Sequence, residues 1–388
     1  MRNVYDVVVV GGGPSGAIAA YTLAKKGLGV ALLEKEELPR YKSCGGVVAP
    51  HVETILDFTI DPTIEQRITK VLVTVNLRKP FLTYSTRPFI YMVMRDTFDN
   101  YLIEKAREAG AVIYPETALS DLTSSSGGYQ VATTRGELRC RYLVAADGAN
   151  GNTRKLVKAP RFRRLSVAVE REVNGSPELL NEWEGTIALD FGRLSSGYGW
   201  VFPKARNFSI GTGGPQSAAK ELVPYCNDLT RFYKDKIGNT DPFISSGHYL
   251  PIRARNERIV FGRTLFVGDV AGLIEPMTGE GIYYAIRSGQ LAAETIAASR
   301  NPNEEDLLEY ERRIDQEIQP ELQISKSLLF LLDIAPGFWV PWMMRPNSVF
   351  WRFFYRVLSG EKKYEDLPRK FGLIGKVVFQ LLEKGLGN

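Results

Sequence analysis

The stretch Tyr5 to Gly16, YDVVVVGGGPSG, constrains what this chain can fold into more than any other. Val7 to Val10 form a short continuous apolar run, the pattern of a parallel strand buried on both faces. Gly11, Gly13 and Gly16 follow in G-x-G-x-x-G spacing, which predicts a strand-to-helix turn. The first glycine permits the tight turn, the second lets backbone approach a pyrophosphate, and the third lets the helix that opens at Pro14 and Ser15 pack closely on the strand. Unpaired amides and the positive end of that helix suit an anion. The helical pattern runs through Ile18, Ala20, Tyr21, Leu23 and Ala24 and stops at Gly27, after which Val30 to Leu33 read as a second strand ended by Glu34. An acid at this position can accept hydrogen bonds from the two ribose hydroxyls of an adenosine. Strand, glycines, helix, capping glycine, second strand and acid together make one nucleotide-binding βαβ unit of about 30 residues.

The chain of 388 residues has room for two or more domains, and 44% hydrophobic with 24% charged residues is an ordinary globular balance. A net charge of +5, from 49 basic and 44 acidic residues, is too small to argue for nucleic acid, though it is compatible with an anionic substrate or membrane surface. Cys44, Cys140 and Cys226 contain no C-x-x-C pair, so the sequence suggests neither a disulfide framework nor a zinc site, and a reducing compartment is expected. The N-terminal apolar run passes straight into the glycines and reads as a strand, not a signal peptide. No stretch reaches the roughly 18 apolar residues of a membrane span.

After Glu34 and Lys35 comes an irregular segment in which Arg40, Lys42, Cys44, Gly45 and Gly46 stand out; alone it reads as a surface loop. Arg67 to Asn76 alternates, with Val71, Val73 and Val75 on one face, and Phe81 to Met94 gives further strand-like runs, together predicting a sheet apart from the nucleotide-binding one. The chain returns at Arg95, where a helix with Asp96 as N-cap and Gly110 at its end is expected, followed by a strand over Ala111 to Tyr114 and a small meander. Tyr142 to Ala146 reads as an apolar strand ending in Asp147-Gly148.

From about Leu165 to Pro251 the strands lengthen. In YGWVFP, Tyr198, Trp200 and Phe202 alternate onto one face: an aromatic wall, or simply a sheet core. A second return follows, with the strand Thr264 to Val267 ended by Gly268-Asp269, and Gly279 and Gly281 at the mouth of a helix whose N-terminus suits a second negative centre. Beyond Glu304 a charged helical stretch precedes Ser327 to Leu358, where Trp339, Trp342 and Trp351 mix with Pro336, Pro341, Pro346, Arg345, Arg352 and Arg356. That mixture suits an interfacial surface meeting lipid, or a cap over a hydrophobic tunnel, and the two are compatible. The expected fold class is α/β (α+β overall). Residues 1–65, 95–160 and 255–300 form the nucleotide-binding domain, 66–94 and 161–254 an antiparallel substrate domain, and 301–388 a C-terminal helical segment.

The ordered set Gly11/Gly13/Gly16 with Glu34, Arg95 with Asp99, Asp147-Gly148, Gly268-Asp269 with Pro276, and Gly279-Glu280-Gly281 resembles the flavoprotein superfamily built like para-hydroxybenzoate hydroxylase. Two further motifs look like its geranylgeranyl reductase family: Lys42-Ser43-Cys44-Gly45-Gly46, similar to K-x-C-G-G, and Tyr198 to Pro203 followed by Gly211-Thr212-Gly213, similar to Y-x-W-x-F-P with G-x-G. The resemblance implies a Rossmann-type domain binding FAD. Glu34, with Lys35 beside it, would meet the adenosine ribose, and Arg95 and Asp147-Gly148 would lie near the pyrophosphate. Asp269 would meet the ribityl chain, and Gly279 to Ile282 would lie beneath the isoalloxazine. It also implies saturation of prenyl double bonds in chains carried by a diphosphate, a glycerolipid, a chlorin or a quinone, with NAD(P)H or a reduced ferredoxin as electron donor. Tyr198, Trp200, Phe202, Pro203, Gly211 and Gly213 are then the substrate-binding set. Cys44, Gly45 and Gly46 form the catalytic loop, approaching the opposite side of the flavin ring or its edge so that Cys44 also counts among the cofactor-binding residues, and Cys44 is either a proton donor or a space-filling thiol. His51 and His248 read as structural.

Rivals on the same fold are an aromatic hydroxylase and a halogenase. Halogenases carry W-x-W-x-I-P where this chain has Tyr198 and Phe202, and the K-x-C-G-G loop favours the reductase. A prenyl-lipid carrier with a purely structural FAD is a third reading. The expected location is cytoplasmic and peripheral to the inner face of the membrane.

Overall fold

The computed structural model describes residues 3–162, 165–238, 240–255, 257–298, 303–334, 344–364 and 366. Val4–Val10 lies at the centre of an eight-stranded sheet, between Gly136–Ala145 on one side and Val30–Leu33 on the other, both parallel to it. Val112–Tyr114 extends the sheet beyond Val30–Leu33, and Thr264–Phe266 extends it beyond Gly136–Ala145, again in parallel. Val7 and Val9 pack into the cluster containing Leu23, Leu291 and Ala292, whereas Val8 and Val10 pack on the opposite face with Ala31, Leu33 and Val131. Helices or strands cover both faces, which explains why the run is apolar at every position.

The helices Pro14–Lys25 and Ile282–Ala297 approach closely, since a Cβ on Gly289 would lie 2.3 Å from the Ser15 carbonyl oxygen. The helix that follows the chain's last return to this sheet is thereby packed on the first helix of the chain.

A second, seven-stranded sheet runs in the order Ile244–Pro251, Leu165–Asn174, Asn207–Pro215, Tyr198–Pro203, Thr186–Phe191, Lys70–Val75, Arg78–Tyr84. All its pairings are antiparallel except Thr186–Phe191 with Lys70–Val75. The alternation over Arg67 to Asn76 does not make one strand. Ile64–Ile68 joins Ile90–Val93 and Val47–Val48 in a separate three-stranded sheet, while Lys70–Val75 joins the large one. The break falls where the amides of Thr69 and Lys70 both donate to the Gly185 carbonyl, which turns the chain between sheets. Asp96 is likewise not an N-cap. The helix Arg95–Glu108 has Met94 at that position and Asp96 in its first turn, and its first residue, Arg95, forms an i,i+4 ion pair with Asp99.

Toward the C-terminus, Glu304–Glu317 opens with a capping box between Asn303 and Asp306 and docks Leu307, Tyr310 and Ile314 on the first domain's core. Gln319–Ile334 follows. Val349–Leu358 buries Trp351, Tyr355 and Leu358 against Val71, Val73 and Trp200 of the seven-stranded sheet and against Phe89, just before Ile90–Val93. Trp339, Trp342, Pro336 and Pro341 lie outside the described residues. Among the described residues no helix is long and apolar enough to cross a membrane.

Candidate active site

One cavity of about 940 Å³ joins the glycine turn to the aromatic strand. At its nucleotide end Gly11 has φ +107°, and a Cβ there would lie 2.3 Å from the Ala146 carbonyl oxygen. Gly16 is equally closed, 1.9 Å from the Gly11 oxygen. Gly13 differs: its nearest neighbour would be Arg40 at 3.8 Å, so its missing side chain leaves open space above the helix end. Gly13 also occupies the N-cap position of Pro14–Lys25 without a side-chain cap, leaving first-turn amides available to an anion.

Glu34 is buried at the end of its strand and accepts from the Gly12 amide at 2.9 Å and from Arg40 Nε at 3.1 Å. Arg40 continues to Asp99 at 3.0 Å, and Asp99 receives both Nε and Nη2 of Arg95 at 2.7 Å. Acid and base thus alternate through four buried or half-buried side chains. Burial alone would lower the pKa of Arg95, but the Asp99 carboxylate outweighs it and holds the guanidinium charged. Asp147 places Oδ2 on the Thr153 amide and hydroxyl at 2.8 and 2.7 Å, while its buried Oδ1 has no partner and burial raises its pKa. Lys35 lines the groove from the outside, paired with Glu36 at 3.4 Å.

Further along, Asp269 Oδ2 lies 3.4 Å from His248 Nε2, which is 3.1 Å from Lys42 Nζ. Burial would raise the Asp269 pKa, but the His248 hydrogen bond and the Lys42 charge bring it below the ordinary carboxylate value. Burial and the neighbouring Arg95 charge lower that of Lys42. The turn Glu275 to Gly281 is built by Glu275, which accepts the Met277 amide at 3.0 Å and the Thr278 amide at 2.6 Å. Gly279 takes φ +75°, and Gly281 is the uncapped N-cap of Ile282–Ala297. Burial, with the adjacent Glu275 charge, pushes Glu280 up to about 8, and its Oε1 has no partner. Gly268 supports this region from behind the cavity, at φ +61° against Ser15.

The cavity's other end is apolar. Tyr198, Trp200 and Phe202 form a continuous row with ring centroids 5.8 and 5.9 Å apart, and the Tyr198 hydroxyl donates to the Thr278 carbonyl. Phe350, Trp351, Phe354, Leu329 and Leu332 close it from the C-terminal helices. Between the two ends lies the Lys42–Gly46 loop. A Cβ on Gly45 would lie 3.1 Å from the Phe202 ring, and Gly46 takes φ +77° with the Val93 carbonyl 2.2 Å from where its Cβ would be. The half-buried Cys44 donates its amide to Glu170 Oε1 at 2.7 Å, the oxygen that also receives the Tyr41 hydroxyl at 3.0 Å.

The sequence-selected residues therefore gather around one cavity, with a few exceptions. Pro203 and Gly211 do not line it; Gly211 is where the Trp200 ring lies, 2.1 Å from a would-be Cβ, so it acts through the aromatic wall. Gly213 lines it. His51 is away from it, packed on Tyr283 at 4.0 Å, and burial lowers its pKa to about 4. His248, read as structural, faces the cavity. Glu170, Glu275, Thr278 and the helix Val349–Leu358 carry no local motif that would have marked them.

The open Gly13, the uncapped helix start, Glu34 at the strand end and the second uncapped helix at Gly281 fit FAD. An FAD-binding domain model matches residues 4–184. The chain is 32% identical over 314 residues to a geranylgeranyl diphosphate reductase of Rhodobacter capsulatus, covering 76% of this chain and 75% of that protein. It is 30% identical over 332 residues to a digeranylgeranylglycerophospholipid reductase of Methanocaldococcus jannaschii, covering 81% and 83%. Among solved structures, a geranylgeranyl bacteriochlorophyll reductase-like protein from Thermoplasma acidophilum has the same fold, with TM-score 0.77 and 22% identity over 95% of this chain and 99% of that one. This FAD-dependent oxidoreductase belongs to the geranylgeranyl reductase family.

Proposed function

We propose that the protein saturates carbon–carbon double bonds of a geranylgeranyl or related prenyl chain, borne on a diphosphate, a glycerolipid, a chlorin or a quinone. The observation that carries this reading is the continuity of an apolar, aromatic-walled cavity with the nucleotide groove, the Lys42–Gly46 loop standing where the two meet. Bound in this groove and reduced by NAD(P)H or a reduced ferredoxin, FAD would supply the hydride for one carbon of the alkene, the other carbon taking a proton.

The chain's own residues set the conditions for that addition. Tyr198, Trp200 and Phe202 hold an isoprenoid by area, the Tyr198 hydroxyl and Trp200 indole N–H being taken by Thr278 and Ser209, and Phe350 and Phe354 line the cavity from the C-terminal helix. Gly45 and Gly46 keep the loop thin beside Phe202, so that the prenyl chain can lie close to the cofactor groove. The uncapped helix at Gly281 favours negative charge at its mouth. Cys44, held through its amide by Glu170, is the proton-bearing side chain proposed for the loop.

The test is anaerobic. The protein is reduced with dithionite, geranylgeranyl diphosphate or a geranylgeranylated glycerolipid is added, and flavin absorbance and product mass are followed. Reoxidation with mass gains of two hydrogens per step supports the proposal. No reoxidation with any prenyl compound, but rapid oxygen-dependent turnover with an aromatic, replaces it with a monooxygenase or halogenase; binding of lipid without either reaction leaves a carrier.

A further inference from the structure

The helix Val349–Leu358 is two-faced. Its inner side chains Phe350, Trp351, Phe354 and Leu358 line the cavity. On the outer face Val349 is 56% exposed, Arg352 and Arg356 follow at helical spacing, and Arg345 is exposed just before the helix begins. Arg356 shares Glu361 with Arg87, at 3.3 and 3.8 Å, whereas Arg345 and Arg352 form no ion pair with any described residue. Leu328 and Leu331 of the helix Gln319–Ile334 share with Phe353 and Val357 an apolar cluster around Ile324 and Tyr364. That helix too turns Leu329 and Leu332 to the cavity while Phe330, 37% exposed, faces outward. Asp333 forms no ion pair with these arginines; its carboxylate is held at the Ser196 amide, at 2.7 Å, and at the Ser196 hydroxyl.

The two helices that wall the apolar end of the cavity therefore show cations mixed with exposed apolar side chains on their outer side. Exposed apolar side chains flanked by cations match the boundary of a bilayer, where hydrocarbon takes the first and anionic headgroups the second. We propose that this face docks on an anionic lipid bilayer and turns the apolar end of the cavity toward it. A chain of the class argued above then passes from bilayer to site without crossing water; only that consequence, not the docking, rests on the reductase reading.

FAD-loaded protein is floated with vesicles of phosphatidylcholine alone and of equal parts phosphatidylcholine and phosphatidylglycerol, at low and high salt, with no prenyl compound present. Flotation is expected with the anionic vesicles and to be lost at high salt. The double variant Arg345→Ala/Arg352→Ala should bind them about tenfold or more weakly while keeping the wild-type flavin spectrum and melting temperature. Val349→Asp, which alters neither arginine, should weaken flotation as well. Equal flotation with both vesicle types, no flotation, or a double variant that floats like the wild type overturns the proposal. So does salt-sensitive binding of an acidic iron–sulfur protein to this face without vesicle binding, which would make it an electron-donor surface. No turnover is measured, so failure here and failure of the reductase assignment are read separately.

Discussion

The backbone amide of Cys44 donates to Oε1 of Glu170 across 2.7 Å, so a strand of the seven-stranded sheet holds a loop that hangs from the nucleotide-binding half. The same oxygen receives the Tyr41 hydroxyl, which fixes the loop at two points separated by the residues that enter the cavity.

Replacing Glu170 with Ala strands a half-buried amide and a hydroxyl, at a cost of about 1–3 kcal/mol. Chemical denaturation should register that loss, and prenyl-dependent flavin reoxidation should slow by about tenfold or more as the loop loses its register. Glu170→Gln keeps a carbonyl oxygen in place and should recover most of both. Equal damage from Gln and Ala would instead assign the role to the negative charge.

Gly13 and Gly16 should separate cofactor binding from folding. A Cβ on Gly13 enters open space beside Arg40, so Gly13→Ala should leave the stability of the apoprotein within about 0.5 kcal/mol of wild type while weakening FAD at least about tenfold by occupying the phosphate approach. A Cβ on Gly16 collides with the Gly11 carbonyl, so Gly16→Ala should destabilise the apoprotein itself. Fluorescence titration with FAD and thermal melts of both variants distinguish the two outcomes.

The aromatic wall makes a similar contrast between Gly211 and Gly213. Alanine at Gly211 would sit 2.1 Å from Trp200 Cζ2 and 2.6 Å from the Val169 carbonyl oxygen, forcing the ring out of its slot for about 1–3 kcal/mol. Alanine at Gly213 meets Trp200 at 3.6 Å, ordinary contact, and should be tolerated. Urea midpoints and Trp fluorescence report on both.

Glu280 predicts how apoprotein stability depends on pH. Its folded pKa of about 8 stands above the ordinary 4.5, so between these values the folded chain keeps a proton that the unfolded chain releases. Stability therefore falls as pH rises through this window. Glu280→Gln removes the effect: the variant should match wild type near pH 4, gain on it progressively, and level off above pH 8 with an advantage of about 3–5 kcal/mol. A stability difference independent of pH would show that the carboxyl does not hold its proton in the folded state.

The nucleotide half was legible because its signals are local. A buried parallel strand needs an apolar run, a tight turn onto a phosphate needs glycines at fixed spacing, and the acid ends the next strand; all lie between Val4 and Glu34. The same holds for Tyr198, Trp200 and Phe202, since a period of two puts them on one face whatever that face covers. What covers it was not local. That Val349–Leu358 closes this wall, that Glu170 reaches Cys44 and Arg40 reaches Asp99, and that Arg67 to Asn76 divides between two sheets all depend on segments far apart in the chain. A residue's propensity and periodicity specify its own strand or helix and the side it faces; its partner across the cavity is selected only when the separate sheets pack and their remaining polar groups must find one another.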